Sequence, residues 1–402
     1  MRIESLKLAL ILGSLSWLGP FAIDMYLPAM PMIADDLQAS ASASQATLIA
    51  FFISFGASQL FYGPASDVFG RKPPIYLGLV IFCLSSIGCA MAPDIAWLIG
   101  MRFIQGVGAA AVMSIPRAVI RDRCVGNEAT RLMSTIMLVI AVSPMLAPLL
   151  GSVVIAPFGW RAVFLAVAAA SLLGFISTAF GLEETLPADH RRPFQLQATL
   201  RAFSTLFHDV RFLGLTFIGA MGMSSFFVFL ATSSFLYQDY YGLSPVQYSL
   251  AFAVNALGFF AASQTAANLE ARFGAVAVVK AGVAGFGSGA LILFLLTVAG
   301  FDNFPLLVFM LFCTYAFLGL VLPTAMVLAL EEHGDIAGTA SSLAGTLQMM
   351  TGAAVIAVVS SGFDATPVIL ATTITACATV AVVLSVVALR QTENTDIHFG
   401  QE

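Results

Sequence analysis

The chain has 402 residues, 59% hydrophobic and only 10% charged, with 17 basic and 22 acidic side chains and a net charge of −5; its mean hydropathy is +0.95. So few charges cannot supply the polar shell that a soluble core of this size requires, and no Lys/Arg block exists, so a soluble domain, a disordered chain, a disulfide-knit secreted domain and a nucleic-acid binder are all excluded. An outer-membrane barrel fails too: its strands alternate over about 10 residues, whereas apolar stretches here run to about 20 unbroken, the length of a bilayer-crossing helix.

Apolar windows bounded by charge or by Gly, Pro and Asn turns predict twelve spans, at 8–30, 44–63, 75–92, 97–116, 132–153, 162–182, 212–236, 246–268, 281–299, 305–330, 338–361 and 367–389. Asp24 and Arg102 are the only acid and base inside these windows. The side that holds the N-terminus receives all of the 17 basic residues except Arg102 and Arg161. By the positive-inside rule both termini are therefore expected on the cytoplasmic side, with an even number of spans.

The longest polar stretch, 184–210, divides the chain into bundles at 1–183 and 211–390, followed by a tail at 391–402. Within it Leu196, Leu200, Phe203 and Phe207 recur at the spacing of an amphipathic helix on the membrane surface, although a plain tether with scattered apolar residues fits equally. Arg2, Lys7 and Ala39-Ser40-Ala41 imitate a signal peptide, but the apolar run is too long and the cleavage-like site lies beyond Pro28, Pro31, Asp35 and Asp36. The five cysteines lack ligand spacing and read as packing residues. His190, His208, His333 and His398 are scattered over loops and tail, so no metal site is expected.

A charge inside the bilayer persists mainly where a function or a partner offsets its insertion penalty. Asp24 lies between Pro20 and Pro28, prolines that remove backbone donors and can open the helix toward a cavity. A carboxyl taken out of water there can accept a proton from one side and release it to the other, the chemistry of a coupling site. The plainer reading is an acid hydrated at the outer end of a slanted helix. Arg102 cannot shed its proton and needs acceptors, with Asp24 the natural partner; the plainer reading is snorkelling to the interface. Gln105, Gly106, Gly108 and Ala109 to Ala111 follow it, a composition for close helix packing. In the turn from Gly63 to Lys72, Gly63 permits close backbone approach and Gly70 a tight turn; Asp67 can serve a helix N-terminus while Arg71 and Lys72 stay in water.

Gly63-x-x-x-Asp67-x-x-Gly70-Arg71-Lys72 resembles the loop signature of the major facilitator superfamily, and Arg102 to Gly108 resembles its fourth-helix motif, associated there with proton transfer. Asp24 to Pro31, Gln59 to Asp67 and Gly338 to Gln348 are similar to the Bcr/CflA drug/proton antiporter branch. The resemblance spans nearly the whole chain and implies an all-α integral membrane fold of twelve transmembrane helices in two six-helix bundles. The fifth-helix antiporter motif is reduced to Pro144, Pro148 and Gly151, with only Pro148 and Gly151 matching its general core. The equivalent turn in the second half is eroded, since Ala271 and Ala275 stand opposite Asp67 and Arg71.

The second half carries no charge inside its windows, so it is expected to supply pocket surface while the first half handles protons. Tyr26, Phe226, Phe229, Asn255 and Gln348 are the pocket candidates, with Gln264 a further hydrogen-bonding residue. No nucleotide motif, cofactor site or catalytic constellation is present, so a gradient must drive any work. The expected function is proton-coupled efflux of small, mostly apolar drugs or metabolites by a monomer in the bilayer. An importer or facilitator of a metabolite is the alternative, and a sensor or scaffold with no turnover is a third.

Overall fold

The computed structural model describes residues 3–124, 126–191, 196–362 and 364–399. Arg2, Arg192 and the end of the predicted tail lie outside the described residues. The helices are α1 Ile3–Ser16, α2 Leu18–Asp24, α3 Met30–Asp36, α4 Ala41–Phe69, α5 Lys72–Ala90, α6 Ile95–Arg123, α7 Gly126–Phe158 and α8 Arg161–Gly181. After these come α9 Leu196–His208, α10 Val210–Phe235, α11 Pro245–Phe273, α12 Ala275–Val298, α13 Phe304–Leu330, α14 Ala337–Ser360 and α15 Pro367–Phe399.

Eleven segments among the described residues are long and apolar enough to cross a membrane, one of them the 57-residue Phe304–Ser360. A 3-10 turn at Glu331–Ile336 breaks that segment, with His333 off helical geometry at φ −116° and ψ 31°. Its two helices, α13 and α14, each exceed the ~20 residues of one crossing, so the segments make twelve spans as the windows predict. The starts of α4, α6 and α10 are fixed by short polar caps: Ser40 accepts from the Ala43 N–H, Asp94 from the Trp97 N–H, and Asp209 from the Arg211 and Phe212 N–H groups. Several helices overrun the windows, α4 reaching Phe69 and α6 reaching Arg123. An apolar window stops at the first charge, but the helix does not, because Arg and Asp tolerate helical backbone once outside hydrocarbon.

The chain falls into two compact units, 1–195 with 242–250 and 196–241 with 251–402. In the first, α6 is the central element, packed on α4 and α5. Gly106 and Gly108 make this possible: a Cβ on Gly108 would lie 2.6 Å from the Gly78 carbonyl oxygen, and one on Gly106 would lie 2.5 Å from that of Phe51. In the second, α10 packs on α13, α14 and α15. The amphipathic helix predicted in the linker is α9, but it buries a different stripe. Ala202 and Leu206 are buried, and α9 packs on α14, while Leu200 and Phe207 are 56% and 52% exposed.

Candidate functional site

Pro28 has no N–H and its ring clashes with the carbonyl four residues earlier, which is that of Asp24. The first span accordingly breaks there: α2 ends at Asp24, Met25 and Tyr26 turn, and a 3-10 turn at Leu27–Ala29 leads into α3. The Asp24 side chain is buried, 4% exposed, and its carboxyl takes no hydrogen bond or ion pair from any described residue. It is therefore not an acid hydrated at the headgroups. Gly151 of the fifth-helix motif lies against this turn, because a Cβ at that position would overlap the Met25 carbonyl oxygen. Pro144 and Pro148 both sit inside α7, about two turns and one turn before it.

Arg102 is fully buried and does not snorkel. Its Nη1 donates to the Ala22 carbonyl oxygen at 2.9 Å and to Gln105 Oε1 at 2.6 Å, and Gln105 in turn donates to Ser86 Oγ at 2.7 Å. Nε and Nη2 have no hydrogen-bond partner. Instead the guanidinium lies between the Tyr26 and Phe51 rings, 4.4 and 4.6 Å from their centroids, so π faces stand where acceptors are missing. Tyr26 is fixed through its hydroxyl to Thr47 Oγ1 at 3.0 Å, so it braces Arg102 as well as flanking Asp24. Arg102 makes no ion pair with Asp24; it holds the backbone two residues before it.

The turn between α4 and α5 departs from the sequence reading in three ways. Arg71 is not in water but buried, its Nε and Nη2 forked on Asp122 at 2.7 and 3.2 Å and its Nη1 on Asp67 at 2.5 Å and Ser66 Oγ at 2.7 Å. Asp67 lies in the last turn of α4 and pairs with Arg71, and does not serve a helix N-terminus. That role falls to Glu184: Pro73 and Pro74 give α5 no N–H groups, and the Glu184 carboxylate accepts from the remaining Arg71 and Lys72 N–H groups at 2.9 and 3.1 Å. Gly70 takes φ +90°, as a tight turn needs, but nothing lies within 4 Å of a Cβ on Gly63, so no close approach occurs there. Burial pushes the Glu184 carboxyl up, yet the N–H groups of Arg71, Leu186, Lys72 and Thr185 outweigh it and hold it below the ordinary 4.5. Asp122 and Glu184 escaped the sequence reading because their partners lie 51 and 113 residues away.

In the second unit, Phe226, Phe229 and Asn255 come together. Phe229 stacks on Phe252 at 5.3 Å and 3°, Phe226 meets Tyr315 edge-on at 5.4 Å, and Asn255 Nδ2 donates to the Tyr237 hydroxyl at 3.2 Å. Gln348 is half-buried on α14, its Nε2 3.2 Å from where a Gly219 Cβ would stand on α10. Gln264 is exposed. Near the start of α10, His333 Nε2 and Asp209 Oδ2 lie 2.7 Å apart, and Arg211 pairs with Glu331 and Glu332.

A family model described as Major Facilitator Superfamily matches residues 12–357. An uncharacterized MFS-type transporter YdgK of Bacillus subtilis is 35% identical over 365 residues, 88% of each chain. A bicyclomycin resistance protein homolog of Haemophilus influenzae is 33% identical over 357 residues, again 88% of each. The partially occluded, inward open structure of the xylose transporter XylE from E. coli superposes with a TM-score of 0.74 over 96% of this chain and 97% of its own, at 14% identity, a likeness of fold alone. The chain belongs to the major facilitator superfamily and is a multi-pass membrane transporter, not an enzyme.

Proposed function

We propose that this transporter exports small, mostly apolar compounds in exchange for protons across the bacterial inner membrane, as a monomer with both termini cytoplasmic and no cofactor. The observation that carries the reading is Asp24: a buried acid with no partner, set at a proline-broken turn and flanked by a braced arginine. An unpartnered buried carboxyl gains from taking a proton and loses it when a competing substrate or water reaches it. The relative named for bicyclomycin resistance supports drugs as the cargo. Arg102 is a positioning residue, because it holds the Ala22 carbonyl and so the turn that presents Asp24. Arg71, Asp67 and Asp122 form the gating cluster on the cytoplasmic side.

One proton entering gains about 2.3 kcal/mol per 100 mV and about 1.4 per pH unit, enough for two to three decades of a neutral solute. A single carboxyl is therefore sufficient. The test is drug accumulation in everted vesicles energised by a proton gradient, comparing wild type with Asp24→Asn. The variant is expected to lose gradient-driven accumulation while still binding substrate. Gradient-driven accumulation by the variant, or accumulation of solute in the opposite direction by wild type, would overturn the proposal.

A further inference from the structure

We propose that Asn255 is the selecting contact of the second unit, its side-chain carbonyl accepting a hydrogen bond from an N–H or O–H donor on an aryl substrate. The inference rests on the export reading, since it names the class of compound carried. The Asn255 side chain is fully buried; its Nδ2 donates to Tyr237, but its Oδ1 has no partner. A buried acceptor left empty is destabilising, and a leucine of the same size would pack there without that penalty. The empty oxygen is explained if a ligand supplies the donor.

The surroundings define the rest of that ligand. Phe252, Asn255 and Phe259 lie at i, i+3 and i+7 on α11, one face of the helix. Phe252 and Phe259 both meet Phe226, at 6.4 and 5.8 Å between centroids, and Tyr237 meets Phe229 at 6.1 Å. One acceptor thus interrupts a continuous aromatic stripe. Ring faces and a carbonyl oxygen all present negative potential, so they favour a planar apolar compound with a donor and disfavour a carboxylate.

The test measures binding of 7-hydroxycoumarin and of 7-methoxycoumarin to the purified full chain in detergent at pH 6, where the phenol keeps its proton. The two probes differ by that donor. Wild type is expected to bind the hydroxyl compound about tenfold tighter than the methyl ether, as one satisfied buried acceptor implies. Asn255→Leu is expected to bind both alike and to melt no earlier than wild type. Equal affinity of wild type for the two probes, or no saturable binding of either, would overturn the proposal. So would an Asn255→Leu protein that weakens both equally and melts earlier, because that is a packing role. Binding needs no gradient, so loss of proton-driven export would sink the transport reading and leave this outcome standing, and the reverse holds too.

Discussion

Two buried arginines in the first unit are held by opposite means. Arg71 has a forked carboxylate on one edge and Asp67 on the other, whereas Arg102 has a carbonyl, an amide oxygen and two ring faces. The first is an ion cluster whose members can separate when water arrives; the second is a fixed brace with no counter-ion to lose. Glu184 belongs with the first kind, because it ties the segment after α8 to the start of α5 through charge-assisted bonds. Its carboxyl is held below the ordinary 4.5, so the stability it contributes is present above that pH and is lost as pH falls through the lower folded value. Glu184→Gln is expected to destabilise the protein by about 1 kcal/mol at pH 7, the usual range discounted for its partial exposure. Thermal midpoints of both proteins in detergent at pH 7 and pH 3.5 check this: the gap should narrow at the lower pH, and an unchanged gap would mean that the charge is not what holds the turn.

At the scale of elements, the sequence shows where helices run but not which of their small residues are needed. Gly63 and Gly151 sit in motif positions inside helices, and composition alone treats them alike. Only packing separates them: open space surrounds the first, and the Met25 carbonyl blocks the second. The contact makes Gly151 the point where α7 meets the broken first span beside Asp24, which gives the reduced fifth-helix motif a physical purpose. Gly151→Ala is expected to lower stability by about 1–3 kcal/mol, or more because backbone cannot yield as a side chain does, and to impair export with it. Gly63→Ala, in an open helical site, is expected to raise stability by up to about 1 kcal/mol. Opposite shifts in thermal midpoint for the two variants are the expected result. Equal shifts would show that α7 does not rest on the Met25 turn.

For the whole molecule, twelve crossings are legible because length, hydropathy and charge are local properties, each read from a window of about 20 residues. Asp24 and Arg102 were legible for the same reason, as charges where none should be. Their surroundings were not, since Tyr26, Phe51 and Gln105 around Arg102 are ordinary residues until the helices meet. The internal repeat shows the same division: Gly70 and Gly274 take φ +90° and +84° at matching turns, although Ala271 and Ala275 stand where the first turn has Asp67 and Arg71. Backbone geometry has outlasted the side chains there. Orientation is a property of the full chain, carried by the distribution of 17 basic residues across alternate turns. A fluorescent-protein fusion after residue 402 is expected to fluoresce, and a periplasm-dependent phosphatase inserted between Met91 and Asp94 is expected to be active. Both reporters follow from one asymmetry, with Arg161 the only base assigned to the outer side, where it pairs with Asp36 at 2.6 Å. Reversal of both would invert the membrane orientation and, with it, the direction in which Asp24 must release its proton. A fluorescent C-terminus with a silent phosphatase at residues 91–94 would instead mean that α5 and α6 do not cross.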